Sequence, residues 1–123
     1  MADGKRIIGW LVDRAQRVEL LQQFPPRYEA IVADHVTLES GTDAPLPEAA
    51  VGEIIGRADD GKGVEALVVS IDGSTDRPGG GTYHITWSLA EGRKARESND
   101  VIDTEGWADL DMAVPVTLHP AEF

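Results

Sequence analysis

The sequence predicts an α+β fold with few helices and more strand than helix. Three observations carry that prediction. One helical apolar spacing occurs near the start and is closed by a proline pair, alternating apolar and polar residues recur through most of the chain after it, and clusters of Gly, Asp and Pro punctuate the alternation. At 123 residues with 41% hydrophobic content, the chain is expected to form a single domain, residues 1–123, around one core.

The segment "KRIIGWLV" has the continuous apolar, β-rich character of a buried strand, with Trp10 in the core. In "DRAQRVELLQQF", Val18, Leu20, Leu21 and Phe24 fall near one helical face, Asp13 is placed to cap, and Pro25–Pro26 end the helix because proline offers no N–H and restricts the residue before it. The alternation in "YEAIVADHVTLES" predicts a strand that puts Ile31, Ala33, His35, Thr37 and Glu39 on one face. "TDAPLPEA" reads as a loop, and "VGEIIGRADDGKGVEALVVSIDG" as a hairpin turning at "DDGKG". "STDRPGGG" is expected to be a flexible connection. The glycine run Gly79–Gly81 lacks the Gly-Lys-Ser/Thr of a phosphate-binding P-loop and leads into a strand instead.

That strand, "TYHITWSLA", sets Thr82, His84, Thr86 and Ser88 on one face and Tyr83 and Trp87 on the other, in the core. "SNDVIDTEGW" predicts a short helical turn capped by Ser98 or Asn99, with Trp107 a candidate for stacking on a base. "ADLDMAVPVTLH" closes the pattern as a strand in which Pro115 predicts an edge or a bulge, and His119 reads as structural or solvated.

Composition narrows the function. Eleven basic and 22 acidic residues give a net charge of −11, a poor match to long nucleic acid. No apolar run reaches the roughly 20 residues needed to span a bilayer, no signal peptide is read, and the absence of cysteine suits a cytoplasmic protein without thiolate metal sites. Against this background Arg93, Lys94 and Arg96 form a basic cluster, which reads either as a solvated loop or as a substrate-binding patch.

The informative feature is a pair of His-x-Thr units, "HVT" at residues 35–37 and "HIT" at residues 84–86. Within a strand the i and i+2 side chains share a face, so two such strands side by side would present two imidazoles and two hydroxyls to one cleft. One imidazole can accept a proton while the other donates one, and threonine hydroxyls can contact phosphate oxygens. No metal or other cofactor enters that scheme.

These residues resemble the two-histidine, LigT-like phosphoesterase superfamily, whose members carry paired His-x-Ser/Thr motifs. The closer likeness is to the cyclic phosphodiesterase domain of fungal tRNA ligases. There a "HITI" strand precedes a segment similar to "gvKPVESN", and "HITWSLAEGRKARESN" reproduces the His, Ile, Thr, Lys and Glu-Ser-Asn in order, with Ala95 in place of the proline. The resemblance implies compact, bilobal antiparallel sheets around a central cleft and metal-independent opening of 2′,3′-cyclic phosphates or related nucleotide and RNA-end phosphoesters. It assigns His35 and His84 to acid–base catalysis and Thr37 and Thr86 to phosphate contacts. A cyclic nucleotide or short RNA end fits the acidic chain better than a long tRNA. The alternative from another class is a non-catalytic module that binds a phosphorylated ligand or nucleotide in the same cleft.

Overall fold

The computed structural model describes residues 6–123. Lys5, at the start of the first expected strand, lies outside them. The elements in chain order are β1 (Arg6–Val12), α1 (Arg14–Gln23), β2 (Ala30–Ile31), β3 (His35–Thr42), β4 (Ala50–Asp59), β5 (Val64–Ser70), β6 (His84–Leu89), α2 (Glu97–Glu105) and β7 (Ala108–Glu122). The strands form one antiparallel sheet in the order β2-β6-β5-β4-β7-β1-β3. The sheet curls: β3 and β6 stand five places apart in the ladder yet approach each other across a cleft. The two lobes are thus the halves of one sheet, joined through the β4–β7 pair, and the class, the antiparallel pairing and the few helices are those the sequence predicts.

Two apolar layers sandwich the middle of the sheet. Leu67 and Val69 of β5 and Ile85 and Trp87 of β6 point into the larger layer with Trp10, Leu20, Phe24, Val36, Tyr83 and Leu118. Ala66 and Val68, on the other face of β5, meet Val101 and Ile102 of α2. Strand alternation therefore decides which helix each face carries, and β5, buried on both faces from Val64 to Val69, has none of the polar alternation of a half-exposed strand. Trp87, wholly buried, meets Phe24 edge-on and donates its indole N–H to the Phe24 carbonyl at 2.8 Å, so the polar atom of the largest core side chain also ties down the end of α1. The buried Glu65 carboxylate is held by the Arg57 guanidinium at 2.6 Å, the Ser88 hydroxyl at 2.6 Å and the Arg27 backbone N–H at 3.0 Å; a charge with no water access is tolerated only with such a complete set of partners.

Several local expectations change. Asp13 caps α1 as expected, accepting from Gln16 N, but Val18 is exposed. The strand expected over residues 28–40 is interrupted: Ala33 adopts φ 43°, which separates β2 from β3 and buries Ala33 while leaving Ile31 exposed. Two isolated bridges, Ile71–Ser74 and Asp76–Thr82, give the 74–81 connection defined structure. Helix α2 spans nine residues from Glu97 without a side-chain N-cap, in place of a short turn capped by Ser98 or Asn99. Pro115 pairs with Glu53 of β4, whereas β1 joins β7 only from Leu118 onward, so β7 is a local edge at the proline and central beyond it. His119 pairs with Asp13 at 2.9 Å, which joins β7 to the start of α1.

Candidate functional site

The cleft encloses about 350 Å³ and is lined by both His-x-Thr units, His35 and Thr37 from β3 and His84 and Thr86 from β6. The intervening residues, Val36 and Ile85, enter the core, which fixes each motif's outward face. Strand β3 is held against β1 at an unusually close approach. A Cβ on Gly9 would lie 2.1 Å from the Val36 carbonyl oxygen, so the glycine in "IIGWLV" lets the backbone carrying Thr37 settle against β1.

Each imidazole is oriented through Nδ1. In His35, Nδ1–H donates to Asp34 Oδ2 at 3.0 Å, and the other carboxylate oxygen of Asp34 takes Arg14 at 3.2 Å. The His35 ring also lies against Phe123, with centroids 4.2 Å apart and planes inclined by 33°. In His84, Nδ1–H donates to the Thr82 carbonyl at 2.8 Å. Nε2 is then the nitrogen left for chemistry on each ring. Burial holds the His84 imidazolium below the ordinary histidine pKa; the Thr82 carbonyl opposes that shift, and the positive charges of Arg77 and His35 reinforce it. His84 therefore favours the neutral form, with a lone pair on Nε2.

The two threonines are not equivalent. Thr37 is half-buried, and among the described residues its hydroxyl has no protein hydrogen-bond partner. Thr86 is buried; its hydroxyl donates to the Ala95 carbonyl at 3.2 Å, so its 2.9 Å contact with the fully buried Ser98 hydroxyl has Ser98 as donor. Thr86 thereby ties β6 to the start of α2, and a phosphate oxygen could take its proton only by displacing Ala95.

The basic cluster divides. Arg96 lines the cleft, while Lys94 is exposed and does not. Arg93 points elsewhere, forming ion pairs with Asp60 at 2.9 Å and Glu97 at 3.0 Å and donating to the Lys62 carbonyl at 2.6 Å, so it clasps the β4–β5 turn to α2. Sequence reasoning missed Arg77, which lines the cleft from the 74–81 connection. Its guanidinium donates to the Gly80 carbonyl at 3.1 Å and reaches Asn99 Oδ1 at 3.5 Å. Gly81, at φ 88°, leaves the room it needs, since a Cβ there would fall 2.7 Å from the guanidinium. The glycine run before the motif is the signal that could have found it. Ile7 and Phe123 form an apolar wall of the cleft, also unforeseen. Trp107 stands over Gly56, outside the cleft lining, and is not placed to stack on a ligand there.

Among the described residues, no group of three or more His, Cys, Asp and Glu side chains converges as a metal-binding set would. No helix in the described part of the chain is long and apolar enough to cross a membrane. No protein-family model matches the chain, no curated protein matches it, and no solved structure matches it.

Proposed function

We propose that this chain is a metal-independent phosphodiesterase that opens 2′,3′-cyclic phosphates or related nucleotide and RNA-end phosphoesters. One observation carries the reading: two imidazoles, each with Nδ1 committed to an oxygen acceptor, line one cleft with a free threonine hydroxyl and two arginines. The twin His-x-Thr motifs and the likeness of residues 84–99 to the two-histidine phosphoesterases support the same chemistry.

Neutral His84 is the base. Its Nε2 takes a proton from water as the water oxygen bonds to phosphorus. His35, whose imidazolium would have the Asp34 carboxylate beside it, gives its Nε2 proton to the ribose oxygen that leaves as the P–O bond breaks. The Thr37 hydroxyl and the Arg96 guanidinium face the nonbridging oxygens, where negative charge builds.

The test is turnover of nucleoside 2′,3′-cyclic phosphates with and without chelator. Wild type should be active in both conditions, with a bell-shaped pH profile, and His35→Ala and His84→Ala should each lose about a hundred-fold or more. A wild-type protein that binds these esters without turning them over would replace this reading with the phosphorylated-ligand module. A His84→Ala variant of unchanged rate would refute the acid–base pair.

A further inference from the structure

We infer that the ligand of this cleft carries two phosphoryl groups: an ester at the histidine pair and a terminal phosphate monoester held by Arg77 and Ser40. The inference rests on the phosphate reading of the cleft and adds a second subsite to it. A neighbouring groove of about 210 Å³ shares Arg77 and Ser40 with the cleft and continues past them along Leu38, Glu39, Gly79 and Gly80. A molecule seated between the histidines therefore has a polar path outward over Arg77.

The distribution of charge indicates which group occupies that path. Arg6, Arg14, Arg27, Arg57 and Arg93 each have a carboxylate partner, and Arg17 is satisfied by the Val32 and Ala33 carbonyls. Arg77 and Arg96, the two that line the cleft, have no carboxylate at ion-pair distance among the described residues, in a chain with 22 acidic groups. Two guanidiniums without a carboxylate partner exceed the single negative charge of a phosphodiester. A ligand with one further anionic group balances them.

Arg77 is built for that contact. Its Nε–H and one NH2 hydrogen are committed to Gly80 and Asn99, which fix the plane of the group. Three of its five N–H donors remain, enough for a two-point grip on a phosphate. The loop that presents it is closed by Arg77 N to Gly81 O and Gly80 N to Arg77 O, both at 3.0 Å. Glu39 in the same lining would repel any phosphate placed beyond Arg77, so the second phosphoryl group is terminal and not the first of a continuing RNA backbone.

The experiment is calorimetric titration of the full chain with adenosine 2′-monophosphate and with adenosine 2′,5′-bisphosphate. Wild type should bind the bisphosphate about ten- to a hundred-fold more tightly. Arg77→Met should bring that ratio to within about twofold while leaving monophosphate affinity within about threefold; Arg77→Lys, which keeps the charge and loses the fork, should retain part of the ratio. Should Arg77→Met fail to fold, Arg77→Lys and Ser40→Ala must each lower the ratio. Equal wild-type affinity for the two ligands overturns the subsite but leaves the histidine cleft as a phosphate site. A ratio that is undiminished in the Arg77 variants also overturns it. Binding of neither ligand overturns the subsite and the phosphate reading together.

Discussion

Replacing each motif threonine by valine should produce two different proteins. Valine keeps threonine's shape, so the change isolates the hydroxyl. At position 86 the hydroxyl donates to the Ala95 carbonyl and accepts from Ser98, which is fully buried. A buried donor stripped of its acceptor costs about 1–3 kcal/mol, and the loss of the second bond, to the more exposed Ala95, adds roughly 0.5–1.5 kcal/mol. Thr86→Val should therefore lose about 2–4 kcal/mol. In a domain of this size each kcal/mol moves the melting temperature by roughly 3–6 °C, which places the expected drop at about 6–24 °C. At position 37 the hydroxyl has no protein partner among the described residues, so Thr37→Val should stay within about 0.5 kcal/mol of wild type. Its loss should fall on the reaction instead, lowering turnover of a 2′,3′-cyclic nucleotide by about ten-fold or more as one donor to the transition state disappears. Thermal unfolding and initial rates on the same three preparations provide the comparison. Equal melting temperatures for the two valine variants would refute the assignment of Thr86 as the tie between β6 and α2.

Acid and backbone crowding probe two other parts of the molecule. Because burial keeps the His84 pKa below its unfolded value, the unfolded chain takes up that proton first as pH falls. Stability should then decline from about pH 6.5 downward until folded His84 itself protonates, and His84→Gln should flatten that decline in urea midpoints measured between about pH 7.5 and 5.5; parallel curves for the two proteins would contradict it. Gly9→Ala places a methyl group 2.1 Å from the Val36 carbonyl oxygen, forcing β1 and β3 apart; it should cost about 1–3 kcal/mol by denaturant titration, and a variant as stable as wild type would show that the close approach is not required.

Much of the site was legible because it lies on regular strands. The period of two directs His35 with Thr37, and His84 with Thr86, to the cleft, and puts Val36, Ile85 and Trp87 into the core. The features that sequence alone does not reveal depend on irregular backbone or on long-range pairing. The alternation through Ile31 and Ala33 ends at a positive φ on an alanine, a residue whose chemistry does not announce one. Arg93 resembled a ligand cation by proximity to Arg96, but its partners Asp60 and Lys62 lie more than 30 residues away, and only the β4–β5 turn brings them within reach. Arg77 carries no signal of its own in the sequence because its role depends on Gly81 having no side chain and on Asn99 standing across from it. The Val18 miss arises from the helix face: Leu20 and Phe24 meet the sheet, while Val18 turns away.

The place of β3 at the end of the ladder bears on how the cleft comes apart. His84 stands on a strand paired with β5 from end to end and with β2 at Ser88 and Leu89, whereas His35 stands on one that hydrogen-bonds to β1 alone, through a register with two irregularities. Local opening runs through the least protected backbone, so the two walls should not release together. Amide protons of β3 should exchange with solvent before those of β6, and transient detachment of β3 would carry off His35 and Thr37 while leaving His84 and Arg77 in place. The cleft would thus have a durable half and a detachable half, and a ligand bridging both would slow exchange most strongly along β3.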